Sequence, residues 1–337
     1  MHYLITGHTG FKGSWLALWL NSLGHVVSGI SLDPITNSLF DRANISECLQ
    51  NDFRIDIRNS DEVKTAVLQI NPDVVFHLAA QPLVRESYVD PRYTFETNVM
   101  GTLSLLEAVS SAKSVKAHVV ATTDKVYRNI NQVAGYVESD PLGGHDPYSS
   151  SKAMADLLTQ SWISSFPGTP TTIVRAGNVI GGGDVSKDRL MPDLISAYLN
   201  QEVPTLRYPN SVRPWQHVLD CLNGYLMISE SLMSGKEHAM MNIGPDEESF
   251  VTVAKVAELV ASQLSVDSNW NLSESSEPHE AGLLSLDSSL AKTALGWHDK
   301  LKFTDAVTWT TDWFKKVEQN ESSRDITIQQ IEKFINL

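Results

Sequence analysis

The stretch Tyr3-Leu-Ile-Thr-Gly-His-Thr-Gly-Phe-Lys-Gly-Ser-Trp-Leu16 decides how the rest of this 337-residue chain is read. Four residues of apolar, strand-forming character run into a turn with glycines at 7, 10 and 13. Apolar residues at helical spacing follow (Trp15, Leu16, Trp19, Leu20, Leu23), and Gly24 supplies a stop. Glycines let a chain turn tightly and let backbone amides approach a ligand. The helix behind them offers unpaired N–H groups and the positive end of its dipole, so the turn is suited to a pyrophosphate. The spacing is GxxGxxG rather than GxGxxG, but the physical logic is shared.

Working outward, strand and helix signals alternate over the first 180 residues. Strands are expected at Val26–Leu32, Asp73–Leu78, Ala117–Thr122 and Thr171–Arg175. Helices are expected at Asp61–Ile70, Thr97–Ala112 and Tyr148–Ser164. Near-continuous apolar strands separated by helices predict an α/β fold: a Rossmann-type, doubly wound parallel sheet with helices on both faces. The alternation weakens beyond residue 180, where helices are expected at Pro192–Leu199, Thr252–Leu264, Ser288–Leu295, Thr304–Lys316 and in the tail from Asp325. This predicts an NAD-binding domain over 1–180, with segments around 215–245 returning to it, and a smaller, mainly substrate-binding region over 181–337.

Asp33 ends the second strand, twenty-six residues beyond Gly7. A carboxylate there accepts hydrogen bonds from both ribose hydroxyls of NAD and repels the extra phosphate of NADP, so NAD is the expected cofactor. Residues expected to hold it are Gly7, Thr9, Gly10, Phe11, Lys12, Gly13, Asp33, Asp56, Ile57, Leu78, Ala79, Ala80, Asn98, Tyr148 and Lys152.

Tyr148-Ser-Ser-Ser-Lys152 opens a helix after Pro147. One helical turn sets Tyr148 and Lys152 on one face, where the ammonium is expected to lower the phenol's pKa. A tyrosinate can take a proton from a sugar hydroxyl while hydride leaves the same carbon. Thr123, at the end of a strand, is placed to bond the same hydroxyl.

Net charge is −14, which disfavours nucleic acid or an anionic membrane as the main partner. The two cysteines, Cys48 and Cys221, form no CxxC and suggest reduced core thiols, hence a cytoplasmic protein. The N-terminus has no signal-peptide character, no apolar run of membrane-spanning length occurs, and the ten scattered histidines form no HExxH, so no metal site is expected.

Taken together, the glycine turn, His77-Leu-Ala-Ala80, Thr123 and the YxxxK motif resemble the extended short-chain dehydrogenases/reductases that act on nucleotide sugars. The segments Gly7–Leu16, Ala80–Arg85, Thr123–Tyr127, Pro141–Lys152, Arg175–Asp184, Asp188–Asp193 and Arg213–Leu219 are similar to the CDP-glucose 4,6-dehydratase group in particular. That resemblance implies a lyase. C4 of the sugar is oxidised, water is eliminated across C5 and C6, and the hydride returns to C6, giving a 4-keto-6-deoxy sugar. Asp124 is the implied acid for the leaving hydroxyl. Lys125 stands where dTDP-glucose dehydratases carry Glu, and two roles stay open for it: base at C5, or an ion-pair partner that tunes Asp124. The diphosphate is expected at Arg213 and Arg189, with Asn178, Trp215, His217 and Gln81 around the nucleotide or sugar and Glu280 in a family segment of unassigned role. The resemblance further implies a homodimer packed through the helices at Thr97–Ala112 and Tyr148–Ser164, and a product bound for deoxysugars of a surface lipopolysaccharide. The alternatives are an epimerase or 4-keto reductase on the same scaffold, or a non-catalytic NAD-binding protein. The Asp124–Lys125 pair argues against the first, and the intact Thr123, Tyr148 and Lys152 against the second.

Overall fold

A computed structural model describes residues 1–132, 134–273 and 284–337. Glu280 and most of the polar turn at 273–278 lie outside the described residues. The strands in chain order are β1 (His2–Thr6), β2 (Val26–Ser31), β3 (Asn51–Arg54), β4 (Val74–His77), β5 (Ala117–Ala121), β6 (Thr171–Ala176), β7 (Asn178–Ile180), β8 (Thr205–Leu206), β9 (Val212–His217), β10 (Met240–Ile243), β11 (Phe250–Thr252) and β12 (Asn271–Leu272). The helices are α1 (Phe11–Ser22), α2 (Leu39–Arg42), α3 (Ser60–Ile70), α4 (Val84–Val89), α5 (Pro91–Phe95), α6 (Gly101–Ser111), α7 (Pro147–Ser165), α8 (Leu190–Leu199), α9 (Val218–Met233), α10 (Val253–Leu264), α11 (Ser289–Leu295), α12 (Phe303–Glu318) and α13 (Ser323–Ile335).

Seven strands form one parallel sheet in the order β10-β6-β5-β4-β1-β2-β3. Alternate residues of β1 feed opposite faces. Tyr3 and Ile5 join a core with α1, α9 and α13, while Leu4 joins one with α3 and α6. Both faces are therefore covered, which a parallel sheet of apolar strands requires. β1 lies between β2 and β4, so the chain order reverses there and leaves a crevice at the carboxyl ends of the strands.

The sheet's edge strand, β10, comes from far along the chain, and α9 packs on β5 and β6. A second sheet, β11-β9-β7, and a third core around α8, α10, α12 and Trp215 build the wall facing the crevice.

One helix departs from its expected form. The segment expected to begin a regular helix at Thr97 instead makes a π-helical turn over Glu96–Met100 before α6. Here Asn98 is turned inward, its side chain bonded to the backbone of Gln81, and Gly101 allows close approach to Ile57. Single π turns of this kind recur beside functional sites.

Candidate active site

A cleft of about 1080 Å³ opens along the carboxyl ends of the sheet. Its floor is the glycine turn. Gly7 has φ +76°, and a Cβ on it would lie 2.7 Å from the Ala79 nitrogen; a Cβ on Gly13 would lie 2.2 Å from the Gly7 carbonyl oxygen. Neither position tolerates a side chain, so the turn keeps its bare backbone surface toward the cleft. Thr9 fixes the turn to β2 through hydrogen bonds with Ser31 (2.7 Å) and the Leu32 carbonyl (3.1 Å).

Gly7, Thr9, Gly10, Phe11, Lys12, Gly13, Asp33, Asp56, Ile57, Leu78, Ala79, Ala80, Tyr148 and Lys152 all line this cleft. The Asp33 side chain is 90% exposed at the end of β2, where a ribose can reach it. Asp56 is held by Arg58 at 2.7 Å, which keeps its carboxyl below the usual range.

A neighbour of Asp33 and one cleft residue escape sequence reasoning. Arg54 stacks over the Phe40 ring at 5.0 Å and stands 3.7 Å from Asp33. Thr97 lines the cleft with a buried hydroxyl that has no hydrogen-bond partner. That hydroxyl is free to bond a molecule filling the cleft. The only sequence signal for Thr97 is its position beside Asn98. The donors, the bare turn and the exposed Asp33 fit a dinucleotide.

Three expected contacts are corrected by the structure. Asn98 does not reach the cleft. It accepts from Gln81 N (2.8 Å) and donates to Gln81 O (3.1 Å) and Ser151 Oγ (2.8 Å), tying β4's exit loop to α7. Gln81 is buried, with Nε2 on Leu83 O and Thr94 Oγ1 and Oε1 accepting from Leu83 N at 2.6 Å; both ends of its amide are committed inside the protein, away from any sugar. His217 is fully buried between Trp15 and Trp309, at 6.0 and 5.9 Å. It caps α9 by accepting from Leu219 N, and burial pushes its pKa down to about 3, so it is a neutral packing residue rather than a pocket wall.

The reacting end of the cleft is assembled from β5 and α7. Asp146 caps α7 by accepting from Ser149 N (2.9 Å), and Pro147 sits at the first helical position, where no N–H is needed. Tyr148 N, left without a helical partner, donates to Ser87 Oγ at 3.1 Å. The tyrosine is thereby fixed by two separate elements. Tyr148 is half-buried, borders the cleft and bonds Thr123 through its hydroxyl.

Thr123 Oγ1 donates to Asp124 Oδ1 at 2.9 Å. Lys125 Nζ stands 3.6 Å from the same oxygen and lines the cleft. Asp124 is 1% exposed, one layer behind the lining. Its Oδ2 has no hydrogen-bond partner and faces Gly177, a cleft residue.

Burial raises the pKa of the Tyr148 phenol, against the opposing pull of Lys125, the Thr123 hydrogen bond and Arg189. The cation expected to lower it, Lys152, is instead anchored to the Ala121 carbonyl at 2.8 Å. Burial, and then Lys12, bring Lys152 down to about 8. Lys125 is the cation that pulls hardest against that rise, and Lys152 ties α7 to β5 through the Ala121 carbonyl.

On the opposite wall, Arg189 pairs with Asp184 at 3.1 Å, and Arg213 is mostly buried with Nη1 on Val212 O. Asn178 presents an unpartnered side-chain oxygen, and Trp215 is held in the wall's core with its indole on Val251 O at 3.2 Å. All four line the cleft. Among the described residues no cluster of His, Cys, Asp and Glu could hold a metal ion.

Known proteins resemble this arrangement along nearly their whole length. A family model described as GDP-mannose 4,6 dehydratase matches residues 4–310. A CDP-glucose 4,6-dehydratase from Salmonella typhimurium is 42% identical, covering 92% of this chain and 89% of its own. A dTDP-glucose 4,6-dehydratase from Xanthomonas campestris is 26% identical, covering 93% and 92%. Among solved structures, the dTDP-glucose 4,6-dehydratase DesIV of Streptomyces venezuelae, with NAD and TYD bound, superposes with a TM-score of 0.81 at 26% identity, covering 94% of this chain and 97% of that one. This chain belongs to the GDP-mannose 4,6 dehydratase family of nucleotide-sugar enzymes.

Proposed function

We propose that this protein is an NAD-dependent lyase that converts CDP-glucose to CDP-4-keto-6-deoxyglucose. The observation that carries the reading is the linked set Tyr148, Thr123, Asp124 and Lys125 at the reacting end of a dinucleotide cleft. Support for the nucleotide comes from the 42% identical CDP-glucose 4,6-dehydratase.

The glycine turn, Thr97 and Asp33 would hold NAD, which would supply the hydride acceptor and donor. The chain's own residues do the rest. Tyr148 takes the C4 hydroxyl proton, with Thr123 orienting that hydroxyl and Lys125 stabilising the phenolate. A ketone at C4 acidifies the C5 proton. Asp124, through its unpartnered Oδ2, is the acid for the hydroxyl leaving C6. Lys125, 3.6 Å from Asp124, either keeps Asp124 in place as a cation or, after giving up its proton, takes the C5 proton as a neutral amine. Arg213, Arg189 and Asn178 receive the diphosphate, where guanidinium forks match phosphate oxygens.

The chain divides, in this reading, into an NAD-binding domain of 1–180 with 215–245 returning to it and a mainly substrate-binding region of 181–337. The pairing of β10 with β6 supports the return. The assembly is a homodimer through the faces of α6 and α7. Met100, just before α6, and Met154 and Leu157 on α7 are about half exposed, an apolar set that no described residue covers. No described helix is long and apolar enough to cross a membrane. Two buried free thiols fit the cytoplasm, and the product fits supply of deoxysugars for lipopolysaccharide.

Purified protein with NAD and, separately, CDP-glucose, dTDP-glucose, UDP-glucose or GDP-mannose should yield a product lighter by one water only from CDP-glucose, as read by mass spectrometry. An isomer of unchanged mass would instead mean an epimerase. Asp124→Asn should still oxidise C4 but stall at water loss, so that reduced-nicotinamide absorbance builds up. Normal turnover by that variant removes Asp124 from the role of acid. Leu157→Asp should convert the dimer to monomer in sedimentation equilibrium, because a charge would have to be buried at the centre of the apolar face. A wild-type monomer would refute this interface.

A further inference from the structure

Arg54 stands at the corner assigned to the adenosine ribose. It ends β3, where it pairs in register with Ser31 at the end of β2, and Asp33 follows Ser31 by two residues. Thr9 closes the corner from the glycine turn, its hydroxyl 2.7 Å from that of Ser31 and 3.1 Å from the Leu32 carbonyl oxygen. Thr9, Ser31, Leu32 and Asp33 all line the cleft.

The Arg54 guanidinium is held in two ways. Its Nη2 donates to Asp52 at 2.8 Å, and its central carbon lies 5.0 Å from the centre of the Phe40 ring. A charge-assisted hydrogen bond and a cation–π contact together fix a side chain that is otherwise flexible. The third contact differs in kind. Arg54 Nε stands 3.7 Å from Asp33 Oδ1, too long for a hydrogen bond but close enough for charge attraction. The Asp33 side chain is 90% exposed and that of Arg54 32%, so both stay open to a ligand. A fixed cation thus flanks a carboxylate that no hydrogen bond ties to it.

A carboxylate alone at this place favours NAD in two ways. It accepts from the ribose hydroxyls, and it repels a 2′-phosphate. The ribose of NAD is uncharged there and needs nothing from a guanidinium. A 2′-phosphate adds negative charge beside Asp33, and the edge of a guanidinium matches phosphate oxygens in both geometry and charge.

Resting on the NAD reading above, we propose that Arg54 is a specificity-determining residue of the cofactor site: it serves as the partner of a ribose 2′-phosphate and lets the protein bind NADP as a second dinucleotide. NAD stays preferred, because Asp33 still repels the phosphate. Asp52 and Phe40 keep the guanidinium in place in both complexes, so Arg54 matters to one dinucleotide and little to the other.

The test is calorimetric titration of NAD and of NADP into the full chain freed of nucleotide. Wild type should bind NADP within about a hundredfold of NAD. Arg54→Met should weaken NADP about tenfold further, the scale of one charge-assisted hydrogen bond, and NAD less than about twofold. Arg54→Gln serves if the methionine variant fails to fold, and Arg54→Lys, which keeps the charge, should recover much of the NADP affinity. A purely structural role would weaken both dinucleotides alike, so the ratio of the two affinities is the readout. Equal weakening of both in Arg54→Met, or a wild type that binds NAD but not millimolar NADP, overturns the proposal while leaving the NAD reading intact. A wild type that binds neither dinucleotide would overturn both.

Discussion

Tyr148→Phe should lower kcat for CDP-glucose about a thousandfold while NAD binds as before. Among the described residues the phenol alone combines a hydrogen bond to Thr123, the pull of Lys125 and a place on the cleft wall. Removing a positioned general base typically costs two to four orders of magnitude, about 3–5 kcal/mol of transition-state stabilisation. The ring of phenylalanine keeps the packing, and the Tyr148 amide still donates to Ser87, so α7 should stay in place. The loss must therefore appear in kcat, with no build-up of reduced nicotinamide, because the block precedes hydride transfer. This separates the variant from Asp124→Asn, which stops one step later. Undiminished turnover by Tyr148→Phe would show that another group takes the C4 proton.

The largest expected effect on stability lies beneath the site. Arg175 and Asp156 are both fully buried and paired through two hydrogen bonds of 2.8 Å. Arg175 Nη1 donates to Tyr127 Oη (2.9 Å) and to the Glu138 carbonyl, while Asp156 also accepts from Thr122 Oγ1 (3.1 Å) and Gln160 (2.7 Å). The network joins β6, α7 and the end of β5, next to Thr123. Arg175→Met leaves the Asp156 carboxylate buried without its cation, which should cost about 3–5 kcal/mol in chemical denaturation. Adding Asp156→Leu should recover much of that loss, since the penalty comes from the stranded charge rather than from the absence of an ion pair. If the single variant unfolds at the wild-type denaturant concentration, the pair does not hold these elements together.

The first half of the fold was legible because its determinants are local. Apolar runs bounded by glycines and caps dictate β1, α1, β2, α3, β4, β5, α7 and β6, and the parallel arrangement follows from covering both faces. The glycine turn, Asp33 and the Tyr148–Lys152 spacing were readable for the same reason: each is a short stretch whose geometry is fixed by its own backbone. α9 and β10 are harder to see. α9 is buried on most sides, so its sequence lacks a clear polar face, and β10 joins the sheet only through pairing with β6, sixty-odd residues earlier.

The errors at the site have one physical origin. Asn98, Gln81 and His217 are polar residues in motif segments, and a motif does not say which way a side chain points. Folding turned all three inward, where their hydrogen-bonding groups cap a helix, close a loop or tie two elements together. The sequence by itself determined the fold class and the glycine cradle, and it named the groups proposed to react. Only the tertiary structure brought Lys125 to act on the phenol, because the sequence paired Tyr148 with Lys152 alone and Lys125 with Asp124. The anchoring of Lys152 to Ala121 O is likewise a contact across 31 residues. Distance-dependent electrostatics is settled by long-range packing, and no local spacing encodes it.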